Sequence, residues 1–282
     1  MSVVFLNGVF CAPEEASVSV LDRGFLLGDG IYEVIPAYHG KLFRLTEHLE
    51  RMQRSLDAIH LKNPHSFDQW NNLLSGLVEK NGGGNLSVYM QITRGVAKRD
   101  HAFPKDVRPT VFAMANVIGP LDPVIEQQGI TALTVNDDRW QHCDIKSISL
   151  LPNVLLRQQA VEQGYAESIL IRDGYVTEGA ASNVFIVSDS VVITPPNGPF
   201  ILPGVTRDLV LELAAANNIG HAERPISKGE LLAADEVWLT SSTREILPVV
   251  RIGEHKIGIG CPGEMWKQLI VFYRKYKAGL AS

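Results

Sequence analysis

Cysteine is scarce in this 282-residue chain: Cys11, Cys143 and Cys261 are its three thiols, widely spaced. An odd, scattered set argues against a disulfide scaffold and a cysteine-ligated structural zinc, and favours a reducing, cytoplasmic setting. No uninterrupted apolar run of about 18 residues occurs, which excludes a membrane-spanning helix. The opening MSVVFLNGVF lacks a basic segment ahead of a long apolar stretch, so no secretory signal is expected. Neither sign of charge dominates: 26 Lys+Arg stand against 31 Asp+Glu, for a formal charge of −5. Nucleic acid is therefore not an expected partner. The eight histidines form no HExxH and no ligand pairing with cysteine, so no metal is expected, and GxSxG is missing too. What is present is a 45% apolar, 20% charged composition, that of a folded chain able to bury a core.

Hairpin signals open the chain. Asn7-Gly8 divides two apolar runs, and His39-Gly40 divides the longer pair within GIYEVIPAYHGKLFRL. A helix is expected after Thr46 as N-cap, with Leu49, Met52, Leu56 and Ile59 at helical spacing. Ser66 with Gln69 forms a capping-box pattern for a second helix, striped by Phe67, Trp70, Leu73, Leu74, Leu77 and Val78 and ended by Asn81-Gly82. LSVYMQITRG and TVFAMANVI read as buried strands. The proline- and glycine-bearing stretch 117–123 is the expected linker between a smaller domain, 1–116, and a larger one, 124–282. Beyond it come a strand at ITALTVND, a helix over 152–163, and a strand-rich meander with turns at Asp173-Gly174 and Asp189-Ser190. Helices at 206–218 and 264–276 flank the strand DEVWLTSS. Strands and helices in mixed runs, without steady alternation, predict an α+β fold.

Several stretches carry candidate chemistry. Leu202-Pro203-Gly204-Val205-Thr206-Arg207-Asp208 leads directly into an apolar-periodic helix. Unpaired N–H groups in a first turn, the helix dipole and the Thr206 hydroxyl suit a phosphate, although a plain loop with Thr206 as N-cap is the commoner arrangement. Its spacing is that of neither a P-loop nor GxGxxG. Thr240-Ser241-Ser242-Thr243-Arg244 ends a strand and suits an anion or an ordinary turn. Glu178 lies in a stretch of small residues between apolar strands, with room for a flat ligand or for a simple corner. Arg99 and His101, downstream of Arg94, can address one carboxylate, although most such loop charges are merely solvated. Arg51, Lys146 and Tyr32 are not distinguished by local chemistry alone.

The order of these blocks is specific. LDRGFLLGDGIYEV, HLERMQRS, ITRGVAKRDHAFP, DIKSISLLPNVLLRQQA, VTEGAASNVF, LPGVTRD and LTSSTREILPV resemble, one after another, the fold-type IV pyridoxal 5′-phosphate (PLP) enzymes, from about Asn7 to Pro248. Arg99-x-His101 after Thr93-Arg94-Gly95 resembles the D-amino-acid (D-alanine) aminotransferases in particular. The resemblance implies a two-domain fold, with a small N-terminal domain and a larger strand-rich pseudo-barrel domain. It implies that Lys146 links covalently to PLP and later carries the substrate proton, and that Glu178 pairs with the pyridine nitrogen. Arg51, Val205, Thr206 and Ser242 would hold the phosphate, and Leu202 the ring face. Tyr32, with Arg99 and His101 from the second subunit of a homodimer, would take the substrate carboxylate. The implied reaction converts D-alanine and 2-oxoglutarate to pyruvate and D-glutamate. An aminodeoxychorismate lyase and an L-branched-chain aminotransferase share most blocks. A non-catalytic phosphate-ligand binder would need the helix start at Thr206 but not Lys146. Arg244 puts a second cation beside the phosphate-side loop, facing either into the site or away from it.

Overall fold

The computed structural model describes residues 2–280, and these fall into two compact units. One comprises the chain up to Gly119 together with the short segment Ile145–Ser149; the other comprises Pro120–Asp144 and Leu150–Ala278.

The first unit is a six-stranded antiparallel sheet backed by helices. Its strands are β1 (Val4–Leu6), β2 (Val9–Cys11), β3 (Gly30–Tyr38), β4 (Lys41–Leu42), β5 (Leu86–Thr93) and β6 (Thr110–Val117), in the order β2-β1-β6-β5-β3-β4. The Asn7-Gly8 and His39-Gly40 turns form as expected, all four residues at positive φ. A short α1 (Arg23–Leu27) precedes β3, and α2 (Leu45–Ala58) and α3 (Phe67–Lys80) follow β4. The Ser66–Gln69 capping box is present in both directions. Two local expectations fail. The cap of α2 is Arg44, in the left-handed region, rather than Thr46, and Phe67 is exposed at the first helical position while the rest of its stripe is buried. Strands β5 and β6, expected to be buried, are buried on one face only. Ile31, Ile35, Val88, Met90, Ile92, Val111 and Ala113 pack with Met52, Leu56, Trp70 and Leu74, while Tyr32, Tyr89, Gln91 and Phe112 lie half-buried on the other face.

The second unit is a nine-stranded mixed sheet with helices. After α4 (Pro123–Gln128) come β7 (Ile130–Asn136), α5 (Leu151–Glu162), β8 (Glu167–Arg172), β9 (Tyr175–Gly179), β10 (Asn183–Ser188) and β11 (Val191–Thr194). Then follow α6 (Val205–Ala216), β12 (His221–Glu223), α7 (Lys228–Ala233), β13 (Glu236–Ser241), β14 (Glu245–Ile252), β15 (His255–Lys256) and α8 (Glu264–Ala278). The order is β12-β11-β10-β13-β14-β7-β8-β9, with β15 on β14. Pairs β7–β8, β7–β14 and β11–β12 are parallel and the others antiparallel, the mixed arrangement of an α+β fold. Thr206 is the second residue of α6 and Gly204 its cap, so the expected Thr206 N-cap is corrected by two positions.

Candidate active site

Lys146 belongs to the first unit. The segment carrying it lies along β3: Lys146 C=O accepts from Tyr32 N (2.9 Å), Ile148 N donates to Gly30 C=O (3.1 Å), and Ile31 bridges Ser147. Lys146 N donates to Ser55 Oγ on α2 (3.2 Å). This fixes the main chain and leaves the half-buried side chain over the Tyr32 ring, with Nζ 4.2 Å from its centroid.

On the face of β3 opposite Tyr32 lies a charged cluster that no sequence motif isolates. Glu33, wholly buried on β3, accepts from Arg51 Nε (2.8 Å) and Nη2 (2.7 Å), and faces His48 Nδ1 at 2.9 Å. Burial pushes the Glu33 carboxyl up, but Arg51 and His48 more than reverse this and hold it well below the usual range. His48 moves down, chiefly through burial, with the charges of Arg51 and Lys146 adding to the effect. Burial disfavours its charged form, and its Nδ1 faces the Glu33 carboxylate. Arg51, named for phosphate binding, commits two of its donors to this carboxylate.

Glu178 belongs to the second unit, on β9. Its Oε1 accepts from Arg139 Nη1 (2.5 Å), and its Oε2 from Leu202 N (2.9 Å) and Asn183 Nδ2 (3.4 Å). A carboxylate offers roughly four acceptor sites, so one is left for a further N–H donor. Arg139 is itself locked to Asp137 through Nε and Nη2, both at 2.9 Å, and Asp137 also accepts from Thr177 Oγ1 (2.7 Å) and Arg172 Nη2 (3.2 Å). Burial pushes the Glu178 carboxyl up against the pull of Arg139. Asp137 and Arg139 were not singled out from the sequence; their signal was a charge pair two residues apart just beyond a buried strand.

Across the strand pair, Asn183 is in register with Thr240. Asn183 also donates to Leu202 C=O (2.9 Å) and packs against Gly204, where an added Cβ would fall 1.9 Å from its Oδ1. Gly204 therefore has to be glycine if Asn183 is to keep its place. Next to it, Val205 and Thr206 open the twelve-residue α6, and their N–H groups belong to the first turn. Ser182 Oγ and Thr240 Oγ1 are buried with no hydrogen-bond partner among the described residues, an arrangement that asks for a ligand or water. Leu202 and Ser242 are half-buried. Arg244 is settled: its Nη2 donates to the buried Glu167 (2.7 Å), which also binds Arg157.

Lys146, Arg51 and Tyr32 are thus brought together in the first unit, and Glu178, Leu202, Val205 and Thr206 in the second. Arg99 and His101 stand on an exposed loop of the first unit, with no hydrogen bond or ring contact to Tyr32 among the described residues.

Comparison with known proteins adds the family. Residues 30–252 match the model of amino-transferase class IV. The chain is 42% identical over 270 residues to a D-alanine aminotransferase of Bacillus licheniformis, covering 95% of this chain and 94% of that one. It is 41% identical over 278 residues to the D-alanine aminotransferase of Staphylococcus haemolyticus, covering 98% of each. Among solved structures it resembles the branched-chain aminotransferase of the archaeon Thermoproteus uzoniensis with norvaline, at a TM-score of 0.89 and 28% identity, covering 99% of this chain and 96% of that one. The family model over most of the chain and relatives above 40% identity show that the chain belongs to the class IV aminotransferases.

Proposed function

We propose that the protein is a PLP-dependent D-amino-acid transaminase that passes an amino group from D-alanine to 2-oxoglutarate. What carries this reading is the match to D-alanine aminotransferases over nearly the whole chain, at an identity well above that to the branched-chain enzyme of similar fold.

The residues suit PLP. The open acceptor site on Glu178 suits a pyridinium N–H, and the start of α6 suits a phosphate, with unpaired N–H groups at Val205 and Thr206 and the orphan Thr240 hydroxyl nearby. By the family resemblance Arg51 and Ser242 would complete the phosphate set, and Leu202 would support the ring face. Bound PLP supplies an electron sink for the pair released when the substrate Cα–H bond breaks.

Lys146 would hold the cofactor through its Nζ, and its freed amine would be the group within reach of the substrate Cα proton. Glu178 would pair with the pyridine nitrogen and favour its protonated form, and Arg139 holds the Glu178 carboxylate in place. Tyr32, with Arg99 and His101 of a second copy, orients the substrate carboxylate and so selects which enantiomer presents its hydrogen to Lys146.

A homodimer follows from that shared carboxylate site. It is supported by apolar side chains left exposed in each unit: Val20 and Phe25 in the first, Leu151, Val154 and Leu155 on α5 in the second. Among the described residues no helix is long and apolar enough to cross a membrane, and a reducing cytoplasm accords with three free thiols.

The test is spectroscopic and catalytic. The purified protein should absorb as a PLP–lysine adduct, and borohydride should fix the cofactor to Lys146. Lys146→Ala should still take up PLP, now removable by dialysis, and lose at least about 10³-fold in turnover. Pyruvate should form from D-alanine with 2-oxoglutarate. Activity confined to L-leucine, or pyruvate released from aminodeoxychorismate alone, would replace the reading with one of its sister activities. A protein that takes up no PLP would remove it altogether.

A further inference from the structure

The loop that carries Arg99 and His101 is fastened from beneath by two buried arginines. Arg23, only 2% exposed, donates from Nε to Asp29 Oδ2 (2.7 Å) and from Nη1 to the carbonyls of Asp100 (2.6 Å) and Ala102 (3.3 Å). Arg94 donates from Nε to the same Asp29 oxygen (2.8 Å), and from Nη1 and Nη2 to the carbonyls of His60 (3.2 Å) and Ile59 (2.7 Å). Its guanidinium also lies 3.8 Å from the centroid of the Phe103 ring. Burial raises the Asp29 carboxyl, but the two guanidiniums more than reverse it, so the bridge stays ionised.

The ends of the loop are tied to the same turn. Arg23 N donates to Gly95 C=O (2.9 Å), Ala97 N donates to Leu21 C=O (3.2 Å), and Asp22 Oδ2 accepts from Thr110 Oγ1 (2.6 Å). Gly95 sits at φ +97°, and a Cβ there would fall 2.0 Å from Arg108 C=O, so the chain enters and leaves the loop in close contact.

Two buried cations sharing one carboxylate are costly to bury, and a solvent-facing loop does not need them for its own sake. Here Arg23 holds the carbonyls of residues 100 and 102, and Arg94 backs the Phe103 ring of the same loop. The side chains of Arg99 and His101, which alternate with those positions, stay exposed and carry no hydrogen bond among the described residues. A fixed main chain presenting unengaged side-chain N–H donors is what preorganised binding of an anion requires.

We propose that Arg23 and Arg94, joined through Asp29, are positioning residues that preset Arg99 and His101 for the substrate carboxylate. This rests on the carboxylate role given to that pair above. A lysine at 23 would keep the charge and lose the planar fork that reaches Asp29 and the loop carbonyls at once.

The experiment combines steady-state kinetics of the holoenzyme with amide hydrogen exchange over residues 98–103. Arg23→Lys should raise KM for D-alanine about tenfold, affect kcat far less, and speed exchange in the loop about tenfold. In an Arg99→Ala/His101→Ala background the same change should add less than about twofold, because its effect passes through those side chains. Phe103→Leu trims an exposed ring and spares the core. It should raise KM about threefold, and it carries the test should Arg23→Lys not fold. A KM penalty from Arg99→Ala, together with silent Arg23→Lys and Phe103→Leu variants or effects that add fully in the double background, would overturn the proposal alone. A silent Arg99→Ala would overturn the carboxylate role itself, and the proposal with it.

Discussion

Replacing Asp137 by asparagine tests the charge network behind Glu178. The side chain keeps its shape, but Arg139 and Arg172 lose the anion that accepts from both. The Asp137 carboxyl is pushed up by burial and pulled down further by Arg139 and Thr177, to about 2. Drawing it from 3.8 to about 2 stabilises the folded, ionised form by about 2 kcal/mol at neutral pH. Removing one partner of a buried pair costs about 3–5 kcal/mol. Asp137→Asn should therefore destabilise the protein by about 2–5 kcal/mol at pH 7. The measurement is equilibrium unfolding in urea followed by tryptophan fluorescence, since Trp238 and Trp266 are buried in the same unit. The pH dependence has a fixed sign. A folded-state value below the unfolded one gives stability that is complete above about pH 4 and is lost as pH falls toward 2. The gap between wild type and variant should hold from pH 7 to about 4 and close below that. A loss under about 1 kcal/mol at pH 7, or a gap that stays constant to pH 2.5, would refute the reasoning.

Two further substitutions probe the units separately. Glu33→Gln leaves Arg51 and His48 buried without their carboxylate, and should cost about 3–5 kcal/mol of stability by chemical denaturation; a loss below 1 kcal/mol would mean that the cluster relaxes freely. Gly204→Ala places a methyl where the Asn183 amide now lies, so it should weaken PLP binding by at least about tenfold in an absorbance titration while leaving the α6 backbone, at φ −77°, unstrained. Unchanged affinity would show that Asn183 has no part in seating the cofactor.

Features set by a few neighbouring residues were legible in the sequence. The Ser66 cap needs only Gln69 three residues on, and the Asn7-Gly8 and His39-Gly40 turns need only residues that tolerate positive φ. Phe67 failed because a first-turn residue can match the helical stripe and still point clear of the core. The cap of α6 failed for a different reason. Gly204 offers no side chain to its own helix, and its place is decided by Asn183, twenty-one residues earlier, whose amide occupies the space a Cβ would take. Thr206 has the better cap chemistry and lost to a packing constraint that no local window contains.

The site divides along the same line. The family resemblance assigns roles to Lys146, Glu178, Arg51 and the α6 start, but it does not reach Glu33 and His48, which engage Arg51, or Arg139, which engages Glu178. Strand parity offered a way in. Ile31, Glu33 and Ile35 alternate onto one face of β3, so if the two isoleucines line the core, the glutamate lies there with them. A carboxylate on a core face demands cations at equal depth, and a helix packed on that face is where they must come from. Arg51 and His48, three residues apart and on one side of α2, meet the demand. Parity thus predicts the depth of Glu33 and the chemistry of its partners; the identity of the helix that supplies them comes only from the fold.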